Sequence, residues 1–183
     1  MDLAFESLSP QEAAESNTKL VITTRAEAKL LTKKEILLDT ELLENPVLSK
    51  AKILRSVMRE YQNDQLIIGI DPGNRIGLSI IYLQNEIESL VVSSPISAVD
   101  LVIALLEGIQ SKKKTVKIGD GDIAMSQYIA RMIKMKLKNV VTIEIVDEYG
   151  TSLPRSAGVN RRGIRDKLSA KTIALRSGRL FLH

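Results

Sequence analysis

The chain has no cysteine, which removes disulfides, thiolate nucleophiles and cysteine-ligated zinc. Its only histidine is the last residue, His183, a poor general base, so a serine-histidine-acid triad and a multi-histidine metal site are both excluded. No uninterrupted apolar run approaches the roughly 20 residues of a membrane span. The first ten residues carry Asp2 and Glu6 where a secretory signal would carry basic residues and an apolar core. These absences predict no membrane partner and a cytoplasmic location. Catalysis, if there is any, is left to carboxylates, with Lys, Tyr or hydroxyl groups as helpers. Carboxylates are hard oxygen ligands, which suit Mg2+ or Mn2+ better than zinc.

At 183 residues, with 44% apolar and 26% charged side chains, the chain has the composition of a globular protein of one ordinary domain plus a small extra piece. Its charge is unevenly placed. Residues 1–63 hold nine basic and ten acidic side chains, and residues 64–183 hold seventeen and twelve. From Thr151 onward, eight basic residues (Arg155, Arg161, Arg162, Arg165, Lys167, Lys171, Arg176, Arg179) face one acid, Asp166. Clustered Lys and Arg suit a polyanion, because neutralising phosphates releases counterions; a solvated basic surface is the competing explanation.

The organisation divides at residue 63. Residues 1–63 read as a small, mostly helical extension. Its first residues are acidic, without a period, and expected to be disordered. A short strand follows at Lys19–Thr23, then a helix over Arg25–Leu38 broken at Asn45-Pro46, and a helix over Ser49–Gln62 with Ile53, Leu54, Val57 and Met58 on one face. Residues 64–183 read as α/β. Strands are expected at Gln65–Ile70, Ile76–Leu83 and Glu86–Val92, with a tight turn at Gln84-Asn85. A helix after Pro95 has Ser97 as its cap, and Lys112–Lys114 is a basic turn. Then come a strand at Thr115–Ile118, a helix at Ile123–Leu137, a strand at Val140–Val146 and a helix at Arg165–Leu180. Three consecutive strands followed by strand-helix-strand crossovers predict a mixed five-stranded sheet flanked by helices.

Ligands of such sheets collect beyond the carboxyl ends of the parallel strands, and the acids of this chain fall there. Asp71 follows the first strand, Asp120 and Asp122 the fourth, Asp147 and Glu148 the fifth, and Asp166 stands near the start of the last helix. Carboxylates from several strand ends are what two divalent ions about 4 Å apart need at a phosphodiester. Taken alone, Asp71-Pro72-Gly73 is an ordinary turn.

The run GIDPGNRIGLSII (Gly69 to Ile81) resembles the first hairpin of RuvC-like resolvases and YqgF-type pre-rRNA nucleases, members of the RNase H-like superfamily. VDEYGTS (Val146 to Ser152) resembles the element ending the fifth strand in the YqgF group, and RDKLSAKTIAL (Arg165 to Leu175) the segment opening the last helix in both groups. The resemblance spans about Gln65 to Leu180. It implies an RNase H-like fold and an endonuclease, a hydrolase dependent on Mg2+ or Mn2+ that acts on structured DNA or RNA such as a Holliday junction or precursor rRNA. It further implies a homodimer, since resolvases of this type cut symmetrically. Asp71 becomes the central catalytic and metal-ligating residue, Asp166 the helix-borne ligand and Glu148 the strand-end glutamate, with Asp120 standing where resolvases carry a glutamate. Tyr149 replaces the family's arginine, Ser169 stands where resolvases have a second acid, and residues 1–63 have no counterpart. The alternative is a non-catalytic RNase H-like module that binds nucleic acid or a protein partner.

Individual residues also have plainer roles. Asp122 is better suited to capping the helix at Ile123 than to binding metal. Asp166 could be a first-turn acid favoured by the helix dipole. Asp147 and Glu148 point to opposite faces, with Glu148 the inward one. Arg155, Arg161, Arg162, Arg165 and Lys167, beside a carboxylate site, are expected to contact phosphate.

Overall fold

The computed structural model describes residues 3–31, 35–42, 45–58, 63–149 and 162–182, without the side chains of Asn139 and Arg162. Two compact units divide the chain, 1–62 and 63–183.

In the N-terminal unit, helix α1 (Pro10–Glu15) starts from Ser9, whose side chain and Glu12 form a reciprocal capping box. Strand β1 (Leu20–Thr23) is followed by one turn of helix, α2 (Arg25–Ala28), and by strand β2 (Glu35–Leu38), which lies parallel to β1 with Val21 opposite Ile36. The helix expected over Arg25–Leu38 is thus mostly absent. Alternating charge and apolar residues fit either period over so short a stretch, and Ile36, Leu37 and Leu38 form a contiguous apolar run. Pairing gives β1 the hydrogen-bond partner it would lack if this stretch were helical. Helix α3 (Pro46–Val57) begins three residues before the expected Ser49. Asn45 caps it by accepting the Val47 amide at 2.9 Å, and Pro46 fills the first position, so Asn45-Pro46 is a helix start and not a break. Its buried line is Val47, Ala51 and Leu54; Ile53, Val57 and Met58 are only half-buried.

The second unit runs β3 (Gln65–Asp71), β4 (Ile76–Tyr82), β5 (Asn85–Val92), α4 (Pro95–Gly108), β6 (Lys113–Gly119), α5 (Ile123–Leu137), β7 (Thr142–Val146), α6 (Arg162–Leu175) and β8 (Arg179–Leu180). They form a mixed six-stranded sheet in the order β5-β4-β3-β6-β7-β8. β3, β6 and β7 are parallel, while β4 and β8 run against their neighbours. The five strands expected from the sequence are present, and a sixth is added at the edge. The last helix stops at Leu175 instead of Leu180, because at Gly178 the chain passes so close to the Ile145 carbonyl that a side chain there would crowd it, and Arg179–Leu180 then pairs with β7.

Smaller corrections have local causes. The tight turn lies at Leu83-Gln84, one residue before the expected position, with φ of 48° and 66°. Two left-handed residues match the twist of a two-residue hairpin. Pro95 occupies the first position of α4, so Ser94 and not Ser97 is the cap, accepting the Ser97 amide at 3.1 Å. Lys113 and Lys114 belong to β6 and not to a turn.

Every residue of β4 is buried, as expected of a strand covered on both faces. Helix α6 lies across β3 and β4, and α4 and α5 pack on one another. The depth at which α6 sits is set by missing side chains. A Cβ at Gly69 would overlap the Ala170 carbonyl and the Ala174 side chain, and one at Gly77 would overlap the Asp166 carbonyl. Gly69 and Gly77, beneath positions 166, 170 and 174 of α6, therefore let helix backbone rest directly on the sheet.

Candidate carboxylate site

Asp71 is the last residue of β3 and pairs with Gly77 of β4. Because successive strand residues alternate faces, Asp71 shares the α6 side with Gly69. There the α6 backbone, lowered onto Gly77, brings Asp166 alongside. Helix α6 starts at Arg162, three residues before the expected start, so Asp166 lies beyond the first turn and the helix dipole does not account for it. One turn further on, Ser169 donates a hydrogen bond to the Asp71 carboxylate.

The other two acids come from the neighbouring parallel strands. Asp120 follows β6; its amide donates to the Val146 carbonyl at 3.0 Å, and its Oδ1 accepts the Glu148 amide at 3.1 Å. This exchange ties the ends of β6 and β7 together. Glu148 directs its carboxylate into space left by Gly119 and Gly121, where a Cβ at either position would overlap it, and it accepts the Gly121 amide. Arg176, at the end of α6, fixes the backbone on both sides of Glu148, its Nη1 donating to the carbonyls of Asp147 at 3.1 Å and Tyr149 at 2.9 Å.

The charges repel. Burial pushes the Asp71 carboxyl up to about 7, with Glu148 and then Asp166 adding to the rise and the Ser169 hydrogen bond opposing it. Burial also raises Glu148, helped by Asp120 and resisted by the Gly121 amide. Among the described residues, two cations form ion pairs with these acids: Arg75 Nε is 3.9 Å from Asp166 Oδ2, and Arg179 Nη2, on an 84% exposed side chain, is 4.0 Å from Asp120 Oδ2. Such exposed pairs are weak, which leaves the cluster with an excess of negative charge.

Asp71, Asp120, Glu148 and Asp166 thus occupy one edge, brought from four separate stretches of chain. Asp122 does not join them; its Oδ1 accepts the Met125 amide at 3.0 Å as the cap of α5. Asp147 is exposed and accepts the Tyr149 amide at 2.8 Å, and Tyr149 is itself 91% exposed. Of the basic residues expected at phosphate, Arg165 and Lys167 are half-buried on α6, Arg162 opens that helix, and Arg155 and Arg161 lie outside the described residues. Sequence reasoning missed Gly69, Gly119, Gly121, Arg75 and Arg176, and saw Ser169 only as an absent acid. The spacing of Asp166, Ala170 and Ala174, a small-residue stripe at helical period on a helix following Gly-bearing strands, was the available signal.

The donor set, all carboxylate oxygens with surplus negative charge, fits a hard divalent cation in type and charge. Among the described residues, no three acidic side chains stand in a geometry that would hold an ion as they are. Asp120 in particular is committed to the Glu148 amide. Among the described residues, too, no helix is long and apolar enough to cross a membrane. No family model matches the chain, and no curated protein matches it.

Proposed function

We propose that the unit 63–183 is an RNase H-like domain that hydrolyses phosphodiester bonds in structured nucleic acid, a four-way DNA junction or a precursor RNA, with Mg2+ or Mn2+ held by Asp71, Asp120, Glu148 and Asp166. The observation that carries this reading is the gathering of Asp71, Asp120, Glu148 and Asp166 at the carboxyl edge of parallel strands, where burial and the neighbouring acids hold the Asp71 carboxyl above its ordinary range. A fold gains no stability from crowding like charges into a half-buried site, so the arrangement makes sense when a cation is present. Bound ions would supply an activated water and neutralise charge developing at the phosphate.

The chain's own residues set the terms. Asp71 and Asp166 are held together by the Gly77 contact, and Glu148 and Asp120 by the amide hydrogen bond between them. Arg165 and Lys167 on α6, with Arg155, Arg161 and Arg162 before them, provide the cationic approach for the phosphate backbone. Two copies acting together would cut both strands of a symmetric substrate.

The test is a cleavage assay with Mg2+ or Mn2+ on a panel of junction, duplex and single-stranded DNA and RNA. The unaltered protein should cut at least one substrate. Asp71→Asn and Asp166→Asn should abolish cutting and leave nucleic-acid binding intact or stronger, since a repulsive charge has gone. Full activity in Asp71→Asn would eliminate the mechanism. A second reading, a non-catalytic module binding nucleic acid or a protein partner, is favoured by the engagement of Asp120 with Glu148; it predicts neither metal binding nor cleavage in either protein.

A further inference from the structure

We infer that the cleft beside Arg75 is a subsite for one nucleotide of the strand that crosses the carboxylate site, with Arg75 taking its phosphate. The inference rests on the nuclease reading and adds to it a place, a residue and a direction for the substrate.

A cleft of about 480 Å³ opens beside Arg75, lined among the described residues by Arg75, Val91, Val92, Ser93 and Ser97. Pockets for small ligands commonly fall between about 300 and 1,000 Å³, so one nucleotide is a fitting occupant. Its place follows from the register. Asp71 pairs with Gly77, and Gly77 pairs with Val91, so the cleft lies two strands across from Asp71 in the same row of the sheet. Two strand spacings are roughly 10 Å, which a stacked strand covers in about three nucleotides at about 3.4 Å of rise each. An unstacked strand needs fewer. The occupant is therefore a near neighbour of the reacting nucleotide.

The lining has the chemistry of one nucleotide. Arg75 offers a planar set of donors to a phosphate, Val91 and Val92 at the end of β5 contribute apolar atoms that a sugar or base can meet, and Ser93 and Ser97 hydroxyls that can donate or accept. Among the described residues, no acid lines the cleft.

Arg75 also joins the cleft to the site. Its guanidinium passes over Gly163 at the start of α6, where an added Cβ would stand 3.4 Å from Nη2, and its Nε reaches to 3.9 Å from Asp166. The side chain is 55% exposed and the pair is long, so Asp166 holds it loosely. A phosphate arriving in the cleft meets a cation already in place and easily released from its carboxylate. Arg75 would then exchange one anion for another as substrate binds.

The experiment measures binding in EDTA, so that cleavage does not enter, with fluorescein-labelled single-stranded DNA, single-stranded RNA and a four-way DNA junction titrated by anisotropy from low to moderate salt. Two variants are compared with the unaltered full chain. Arg75→Gln removes the charge; Ser97→Trp fills the cleft from an exposed position of α4 and leaves Arg75 in place. Thermal melts establish that both are folded. Both variants should weaken binding about tenfold, the size of one lost charge-assisted contact. Both should also flatten the salt slope, by about 0.7 on a single strand or 0.9 on duplex, because each loses the Arg75–phosphate contact. If the unaltered protein binds and either variant binds equally well, the subsite is wrong while the nuclease reading stands. If the unaltered protein binds none of the probes, the nuclease reading fails and takes the subsite with it.

Discussion

Replacing Asp71 with asparagine should stabilise the metal-free protein at pH 8 and do little at pH 4. The Asp71 carboxyl is raised from 3.8 to about 7, chiefly by burial and then by Glu148 and Asp166. A carboxyl whose folded pKa lies above its unfolded one binds its proton more tightly in the folded state. Its contribution to stability is therefore fully present below about pH 4 and is lost as the pH rises through 7. The rise is roughly three tenfold steps in proton affinity, each worth about 1.4 kcal/mol, which sets a ceiling of roughly 4 kcal/mol. Asp71 is only half-buried, and solvent screening reduces this to roughly 2 kcal/mol. Asparagine is neutral at every pH and keeps the shape, so it escapes the loss. In thermal melts followed by circular dichroism between pH 4 and 8, the variant should melt roughly 5–10 °C above the unaltered protein at pH 8, by less at pH 5, and close to it at pH 4. The variant keeps a residual slope of the same sign, because Glu148 is raised by burial as well. Manganese should reverse the order at pH 8 by stabilising the unaltered protein more, and should lower its apparent pH dependence by displacing the proton. An asparagine variant whose melting temperature runs parallel to the unaltered protein's at every pH would refute the burial and repulsion argument, whatever the protein's activity.

Other outcomes follow from contacts at the same edge. Gly77→Ala puts a methyl group into the Asp166 carbonyl and should destabilise by about 2–3 kcal/mol or more, read as a lower denaturation midpoint, while weakening the pH dependence that Asp166 helps to create. Asp122→Ala removes the α5 cap and should destabilise by about 1 kcal/mol, with manganese binding measured by calorimetry unchanged. Arg165→Gln and Lys167→Gln should each weaken binding to all nucleic-acid sequences alike and lower the logarithmic salt slope by about 0.9 on duplex DNA; an unchanged slope assigns them to a solvated surface.

How far the sequence could be read depended on how local each cause is. The strands from Gln65 to Val146 carry apolar runs or alternation bounded by turn residues, and crossover rules then force the parallel pairing of β3, β6 and β7. Acids placed just after those strands had to meet at one edge, which is why Asp71, Asp120 and Glu148 could be placed there before any coordinates, whereas Asp122, just before a helix, suited a cap. The N-terminal unit resisted the same procedure. Over Arg25–Leu38, four to six residues at a time fit either period, and the deciding fact, that β1 needs a partner, lies ten or more residues away.

The remaining gap has one physical origin. What brings Asp166 to Asp71 is not a property of either residue but the absence of side chains at Gly69 and Gly77, and the helix that uses this absence begins some 85 residues later in the chain. A glycine announces only that something comes close; what comes close is decided by tertiary packing. The same holds at Gly119 and Gly121, which vacate the space that the Glu148 carboxylate fills. Two of the four acids thus owe their position to residues with nothing to show in a sequence except smallness. A substitution at such a glycine would disturb the charge cluster without touching a charged group. The close approach of helix and sheet is therefore as much a part of this site as its carboxylates.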